Sequence, residues 1–184
     1  MTNELLIFFI RHGQTDWNAE SRIQGWSDIP INETGKKQIL TLAHSLKTEE
    51  RFDLIISSDL LRAKQSAEII SDILHVPIIH TENLRERRYG IWEGMEEKEI
   101  YSKFLNTNIL SKVEGQETYK DFYKRIKAYI NIIQEQYSGK KLLIVSHGGV
   151  IGVILSIKLG ISIDKFENAT FIKTVAIDSK WILP

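Results

Sequence analysis

The hydrophobic positions of this chain fall into short apolar runs that are separated by longer amphipathic stretches. Residues 5–10 read LLIFFI, and similar runs occupy 52–57, 76–79 and 142–145. Short runs rich in Ile, Leu and Val are typical of strands that are buried on both faces. A fifth run, 170–177, alternates imperfectly between apolar and polar residues, which predicts a strand near an edge of a sheet.

The stretches between these runs show the period of an amphipathic helix. Residues 35–47, 59–74 and 117–137 each place apolar side chains on one face, and Asp59 is positioned to cap the second of these helices. Residues 148–159 are apolar almost all round, which predicts a buried helix. Strands that alternate with helices indicate an α/β fold with a largely parallel sheet covered on both faces.

The part of the chain between about 83 and 115 lacks a clear period. Its sequence LRERRYGIWEG leads into a charged helical segment, EEKEIYSKF. No repeat, low-complexity tract or linker interrupts the rest, and 184 residues suit one domain with a sizeable core. We therefore predict a single domain over residues 1–184, with a small flap inserted at about 95–113.

The composition narrows the classes of partner. Hydrophobic residues make up 42% of the chain, and the 24 basic residues balance the 24 acidic ones, so the net charge is zero. With this balance, the net charge gives no electrostatic reason to expect binding to nucleic acid or to an anionic membrane. The chain has no cysteine, which excludes disulfides and thiolate catalysis. Its apolar runs are too short to span a bilayer, and MTNELLIFFI has no basic residue before its apolar run, so we expect a cytoplasmic protein.

Basic residues follow three of the predicted strands. The first strand ends at Arg11 and His12, the second is followed by Arg62 one turn into a helix, and the fourth ends at His147, before two glycines. The carboxyl ends of parallel strands share one edge of a sheet, where ligands of α/β proteins bind. Two guanidinium groups, two imidazoles and a helix N-terminus at one edge predict a site for a tetrahedral oxyanion, and phosphate fits it best.

A histidine at such a site either binds a metal or attacks phosphorus directly. The metal interpretation lacks support, because the chain has no HExxH, HxH or DxD spacing. Metal-free phosphoryl transfer needs positive charge from the protein, which Arg11, Arg62 and a protonated His147 supply. It also needs an acid for the leaving oxygen. Glu86 is a candidate, although composition does not distinguish it from the other acids.

Four motifs carry a resemblance to a known family. They are RHGQTDWN at 11–18, SSDLLRAKQSA at 57–67, LRERRYGIWEG at 84–94 and VSHGGV at 145–150. In this order they resemble the histidine phosphatase superfamily, in particular its branch of cofactor-dependent phosphoglycerate mutases and small phosphatases. The resemblance implies a three-layer α/β/α sandwich around a mostly parallel central sheet, in agreement with the hydrophobic pattern.

The resemblance also implies a role for each site residue. His12 is the nucleophile and forms a phosphohistidine, and Glu86 protonates the leaving oxygen and then activates water. The groups that hold the phosphoryl oxygens are those of Arg11, Asn18, Gln24, Arg62, His147 and Gly148.

Within that branch the sequence carries features of two activities. Arg87, Arg88 and Tyr89 resemble the mutases, whereas the WEG triplet and the DLLRAKQSA motif are phosphatase-like. The stretch between Glu86 and the EGQET segment is shorter than the insertion with which mutases close over a bisphosphorylated sugar acid. We therefore expect a metal-independent phosphomonoesterase that acts on small phosphorylated metabolites.

Two alternatives remain open at this point. One is a cofactor-dependent phosphoglycerate mutase, and the other is a non-catalytic phosphate-binding module, which the presence of both His12 and Glu86 disfavours. The expected partner is a small phosphorylated metabolite, with no cofactor, metal, nucleic acid or membrane. The sequence does not distinguish a monomer from a homodimer.

Overall fold

The chain forms a six-stranded sheet with helices on both faces. The computed structural model describes residues 4–49, 51–104, 114–163, 166–178 and 180–184. The strands are β1 (Glu4–Arg11), β2 (Leu54–Ser58), β3 (Ile78–Thr81), β4 (Lys141–Ser146), β5 (Phe171–Ile177) and β6 (Lys180–Ile182). The α-helices are α1 (Asp16–Ala19), α2 (Glu33–Glu49), α3 (Leu61–Leu74), α4 (Glu97–Phe104), α5 (Tyr119–Gln136) and α6 (Gly148–Leu159). Two 3-10 turns cover Glu82–Leu84 and Gly90–Trp92.

The strand order places three strand ends side by side. The order across the sheet is β3-β2-β4-β1-β5-β6. The pairs β2–β3, β2–β4 and β1–β4 are parallel, and β5 runs antiparallel to β1. Arg11 at the end of β1 pairs with Ser146 at the end of β4. The carboxyl ends of β1, β4 and β2 therefore meet at one edge, as the sequence predicts.

Alternation along the central strands builds two separate cores. Leu5, Ile7 and Phe9 of β1 belong to a core that includes apolar residues of α5 and α6, whereas Phe8 and Ile10 belong to a second core that includes residues of α2 and α3. Successive side chains of a strand point to opposite faces, so a strand that is apolar throughout serves both cores. The three-layer α/β/α architecture is confirmed.

The pattern located every long element to within about two residues, but it missed two short ones. Helix α1 has four residues and strand β6 has three, and both are too short for a period to show. Strand β5 lies next to the edge strand β6, so its expected position near an edge is confirmed. Helix α4 covers the first part of the predicted flap, and residues 105–113 lie outside the described residues. No helix in the described part of the chain is long and apolar enough to cross a membrane.

The prediction that Asp59 caps α3 was wrong. Its carboxylate accepts two hydrogen bonds from Arg85, at 2.8 and 2.6 Å, and the N-cap residue Leu60 makes no side-chain capping bond. The N–H of Leu61 instead donates to Oδ1 of Asp28, at 2.6 Å, and Asp28 lies in a loop that is distant in the sequence. The local sequence pattern favoured Asp59, but a long-range ion pair and a long-range cap decide the outcome.

Candidate active site

His12 follows β1 directly and is almost fully buried. Its Nδ1 lies 2.8 Å from the carbonyl oxygen of Gly13. A carbonyl oxygen only accepts hydrogen bonds, so Nδ1 carries the proton and the lone pair of the neutral ring is on Nε2. Burial, together with the guanidinium groups of Arg62 and Arg11, lowers the pKa of His12 well below its ordinary value. The ring is therefore held neutral, the state that a nitrogen nucleophile needs.

His147 follows β4, and its ring lies 5.2 Å from that of His12, measured between centroids. Its Nε2 lies 2.9 Å from Oγ of Ser58, while its buried Nδ1 has no hydrogen-bond partner among the described residues. Burial is the main cause that lowers the pKa of His147 well below its ordinary value, and the neighbouring Arg62 and His12 lower this pKa further. Without a bound phosphate the buried ring is therefore held neutral, and the protonated state that is expected from the sequence during phosphoryl transfer stays a prediction.

The hydrogen bonds of Ser58 fix the tautomer of His147. The Ser58 hydroxyl accepts the N–H of Leu60 at 3.3 Å and lies fully buried. If this hydroxyl donates to Nε2 of His147, Nδ1–H is the one polar group of the cluster that is left unpaired, and it remains as a donor for an anion. The opposite arrangement leaves the hydroxyl proton unpaired and a bare lone pair on Nδ1. Because an unpaired buried polar group is costly, the Nδ1–H tautomer is favoured.

Two arginines supply the positive charge. Nη1 and Nη2 of Arg62 donate to the carbonyl oxygens of Ser27 and Gly25, at 3.0 and 2.8 Å, and Nη1 of Arg11 donates to the carbonyl of Phe166. The Nε atoms of both arginines are buried without a partner in the described part of the chain. Burial lowers the pKa of Arg62 to about 10, so the group stays charged at neutral pH. Each arginine thus keeps a donor for a ligand while its position is fixed.

Two side-chain amides are oriented by a buried threonine. The hydroxyl of Thr15 lies 3.0 Å from Oε1 of Gln24 and 3.1 Å from Oδ1 of Asn18, and the N–H of Thr15 also donates to Oδ1 of Asn18. Because the amide oxygens face Thr15, the amide nitrogens remain available as donors. This arrangement suits the predicted role of both residues in holding phosphate oxygens.

Glu86 is held at the N-terminus of α6. Its Oε2 accepts the N–H of Gly149 at 3.0 Å, and its Oε1 accepts the N–H of Arg87 at 2.8 Å. Two other acids, Glu93 of the LRERRYGIWEG motif and Glu117 of the EGQET segment, are engaged elsewhere. Glu93 joins two loops through three hydrogen bonds, from Trp26, Ser27 and Tyr89. Glu117 forms an ion pair with Arg125 at 2.8 Å.

These residues enclose a pocket of about 150 Å³. All eight predicted site residues line it, namely Arg11, His12, Asn18, Gln24, Arg62, Glu86, His147 and Gly148. Five further residues line the pocket, namely Arg22, Ile23, Gly25, Tyr89 and Glu97, and Ser58 lies against Nε2 of His147. Only Tyr89 of these six is named from the sequence, as a mutase-like residue. Ser58 stands in a quoted motif and so had a signal, whereas Glu97 had none. The described residues contain no group of three or more His, Asp or Glu side chains that could hold a metal ion.

The chain is similar to several known proteins over most of its length. It is 37% identical over 150 residues to the uncharacterized phosphatase PhoE of Bacillus subtilis, which covers 82% of this chain and 75% of the relative. It is 35% identical over 187 residues to a metal-independent phosphoserine phosphatase of Arabidopsis thaliana (96% and 79%). It is also 34% identical over 164 residues to the probable phosphoglycerate mutase GpmB of Escherichia coli (85% and 76%).

Solved structures share the fold. A phosphoglycerate mutase of Bacillus anthracis superposes with a TM-score of 0.85 at 25% identity, covering 100% of this chain and 92% of the other. A mycobacterial glucosyl-3-phosphoglycerate phosphatase in complex with VO3 gives 0.84 at 25% identity (97% and 96%). The family model of the histidine phosphatase superfamily (branch 1) matches residues 7–179. With this match and the phosphatases among its relatives, the chain belongs to the histidine phosphatase superfamily.

Proposed function

We propose that His12 carries the phosphoryl group in a phosphomonoesterase reaction, the activity that family membership and the named phosphatase relatives support for this chain. One observation carries the assignment. A neutral, buried imidazole with its lone pair on Nε2 shares a pocket with three donors that have no partner among the described residues: Nε of Arg11, Nε of Arg62 and Nδ1 of His147. Three donors around one nucleophile match the oxygens of a phosphoryl group.

In the first step the Nε2 lone pair attacks phosphorus, and a P–N bond forms as the P–O bond to the leaving group breaks. The two arginines neutralise charge on the phosphoryl oxygens in the transition state, and His147 donates a hydrogen bond from Nδ1–H to one of these oxygens. Glu86 gives its proton to the departing oxygen, which becomes an alcohol.

In the second step water attacks the phosphohistidine. The Glu86 carboxylate now takes a proton from this water, an oxygen–phosphorus bond forms, and the P–N bond breaks. Inorganic phosphate leaves, His12 regains its lone pair, and Glu86 is again protonated. The chain's own side chains supply every proton and charge that these steps need, which supports a metal-independent reaction.

A hydrolysis panel of purified protein against diverse phosphometabolites tests this proposal. Release of free phosphate from several monoesters is the expected result, and it should persist after dialysis against a chelator. No turnover with any monoester, or a rate that collapses with the chelator and returns with a divalent ion, would contradict the proposal.

Phosphoglycerate mutase is the second candidate, because one relative is a probable phosphoglycerate mutase and Arg87 and Arg88 lie next to Glu86. In a mutase the phosphohistidine returns its phosphoryl group to a second hydroxyl of the bound substrate. Supplying 3-phosphoglycerate with a catalytic amount of 2,3-bisphosphoglycerate separates the two activities. We expect free phosphate to exceed 2-phosphoglycerate, and rapid isomerisation with negligible phosphate release would promote the mutase.

The proposal extends to partners and location. Family membership and the named phosphatase relatives support a small phosphorylated metabolite as the partner. We also propose a cytoplasmic location, which cell fractionation tests, and sedimentation of the purified protein distinguishes a monomer from a homodimer.

A further inference from the structure

The backbone that leads to the predicted proton donor is held by side chains from distant parts of the chain. Residues 83–86 leave a 3-10 turn and continue outside helices and strands, and the carbonyl oxygen of each of the four accepts a side-chain hydrogen bond. The Ser146 hydroxyl donates to the carbonyl of Leu84 at 2.8 Å, and Nε1 of Trp26 donates to that of Glu86 at 2.7 Å. The position of this segment therefore depends on donors outside it.

Arg125 of α5 supplies the other three of these bonds. Its Nη1 donates to the carbonyls of Asn83 and Arg85, both at 2.9 Å, and its Nη2 donates to the carbonyl of Glu86 at 3.3 Å. Nε and Nη2 also donate to the two carboxylate oxygens of Glu117, at 2.9 and 2.8 Å. These bonds use all five N–H groups of a guanidinium. Unlike the two arginines of the phosphate pocket, Arg125 keeps no donor for a ligand.

The guanidinium of Arg125 is itself fixed in place. The side chains of Arg125 and Glu117 are only 18% and 14% exposed, and the guanidinium carbon lies 5.2 Å from the ring centroid of Phe122, a core residue. The main-chain N–H of Glu117 donates to the carbonyl of Arg88 at 3.0 Å. The ion pair therefore anchors the chain on both sides of Glu86.

We propose that Arg125 is a positioning residue for the proton donor, because it holds residues 83–86 where the Glu86 carboxyl reaches the leaving oxygen. This role rests on the proposed function, in which Glu86 protonates that oxygen. A general acid must lie within about 3 Å of the atom that it protonates, and a displacement of about 1 Å can lower a rate by about 10²-fold. Loss of Arg125 should therefore resemble loss of the Glu86 carboxyl.

The experiment compares Arg125→Met with the wild type on two esters. One is p-nitrophenyl phosphate, and the other is the alkyl monoester of the hydrolysis panel that the wild type turns over fastest. For both, kcat/KM reports the steps up to formation of the phosphoenzyme. We expect Arg125→Met to lower kcat/KM by about 100-fold for the alkyl ester, and by no more than about threefold for p-nitrophenyl phosphate, whose leaving group hardly needs a proton.

A double-mutant cycle separates positioning of Glu86 from a general loss of structure. In the Glu86→Gln background, Arg125→Met should lower kcat/KM for the alkyl ester by no more than about threefold further, because the group that it positions no longer donates a proton. Lys158→Met is the matched control for lost packing. Nζ of Lys158 also joins a helix to polar groups, Asn131 and Gln134, at 2.8 and 2.7 Å, but Lys158 does not line the phosphate pocket. It should leave the ratio of the two kcat/KM values unchanged.

The outcomes distinguish failure of this role from failure of the proposed function. Equal losses on both esters in Arg125→Met, or effects of Arg125→Met and Glu86→Gln that multiply, would overturn the role of Arg125 alone. No leaving-group dependence in Glu86→Gln, or no turnover by the wild type, would overturn the proposed function and the role of Arg125 together. Thermal unfolding checks that Arg125→Met is folded. If it is not, Arg125→Lys keeps the charge beside Glu117 without the five donors and is judged by the same criteria.

Discussion

The ends of β1 and β4 are built alike but prepare their histidines for opposite tasks. Both strands are parallel neighbours, both end in a buried imidazole, and the two rings lie 5.2 Å apart. His12 uses Nδ1 to bind the carbonyl of Gly13, whereas His147 uses Nε2 to bind the hydroxyl of Ser58. Both rings carry their proton on Nδ1, so His12 keeps a lone pair for attack while His147 keeps an N–H for donation.

This difference shows that the residue type alone does not assign a catalytic role. The atom that each ring already uses for a structural hydrogen bond decides which nitrogen is left for the ligand. The carbonyl of Gly13 imposes the nucleophilic form on one ring, and the Ser58 hydroxyl imposes the donor form on the other.

Replacing each histidine should give losses of very different size. His12→Ala removes the nucleophile, so we expect kcat to fall by about 10⁴-fold or more. His147→Ala removes one donor to the transition state, for which a loss of about 10²- to 10³-fold is expected. Steady-state kinetics on p-nitrophenyl phosphate measures both. Equal losses would mean that the two rings do not differ in function.

Replacing Glu86 should lower the rate by a factor that depends on the leaving group of the substrate. Glu86→Gln should slow alkyl phosphates by about 10²- to 10⁴-fold, because the alkoxide needs a proton as it leaves. p-Nitrophenyl phosphate should lose much less in the first step, since its leaving group is stable as an anion. A burst of p-nitrophenol measured by stopped flow isolates that step. Similar losses on both substrates would assign the acid to another lining residue, with Glu97 next.

Ser58 tests the donor half of the comparison directly. Ser58→Ala frees Nε2 of His147 to take the proton, and we expect kcat to fall by about 10- to 100-fold, as when the orienting partner of a site histidine is lost. Ser57→Ala is the matched control, because Ser57 is equally buried on the same strand and donates to the Ser58 carbonyl instead. Ser58→Thr restores the hydroxyl and should recover activity.

Nitrogen-15 NMR of the histidines gives a readout that general destabilisation does not produce. We expect the Nδ1–H tautomer of His147 in the wild type and in Ser57→Ala, and an altered tautomer in Ser58→Ala. An Nε2–H tautomer in the wild type, or equal effects of the two alanine substitutions, would refute the role of Ser58.

The burial of both histidines should make stability depend on pH. Their folded-state pKa values lie below the ordinary value of 6.5, so the unfolded chain binds more protons as the pH falls below that value. Above about pH 6.5 both rings are neutral in the folded and unfolded chains, and the free energy of unfolding does not depend on them. Below that pH the free energy of unfolding falls, by up to about 1.4 kcal/mol per pH unit for each ring. Urea unfolding between pH 5 and 8 measures this slope. His147→Gln should reduce it, and an unchanged slope would show that His147 does not contribute.

The sequence predicted the strand ends well because their signal is local. The apolar run LLIFFI predicts a strand, and Arg11 and His12 directly after it predict an anion site at the end of that strand. The same holds for the apolar run that is followed by His147. The resemblance to the histidine phosphatase superfamily then indicated Glu86, Asn18 and Gln24, all of which line the phosphate pocket.

The remaining features depend on contacts between distant residues. Asp59 pairs with Arg85 and does not cap α3, and the tautomer of His147 depends on Ser58, which is distant in the sequence. The neutral state of His147 follows first from its burial, which lowers its pKa, and then from the cations that the fold places around it. None of these properties has a periodic or compositional signature.

Capture of the phosphoenzyme is the most direct test of whether the phosphoryl group passes through His12. The protein is mixed with a ³²P-labelled monoester, quenched in alkali within the turnover time, and digested to locate the label. A phosphohistidine at His12 predicts an alkali-stable, acid-labile label on His12 in the wild type, and no label in His12→Ala. In His147→Ala the label on His12 should still form, although more slowly. A label on His147 or on an oxygen nucleophile, or an undiminished label in His12→Ala, would contradict it.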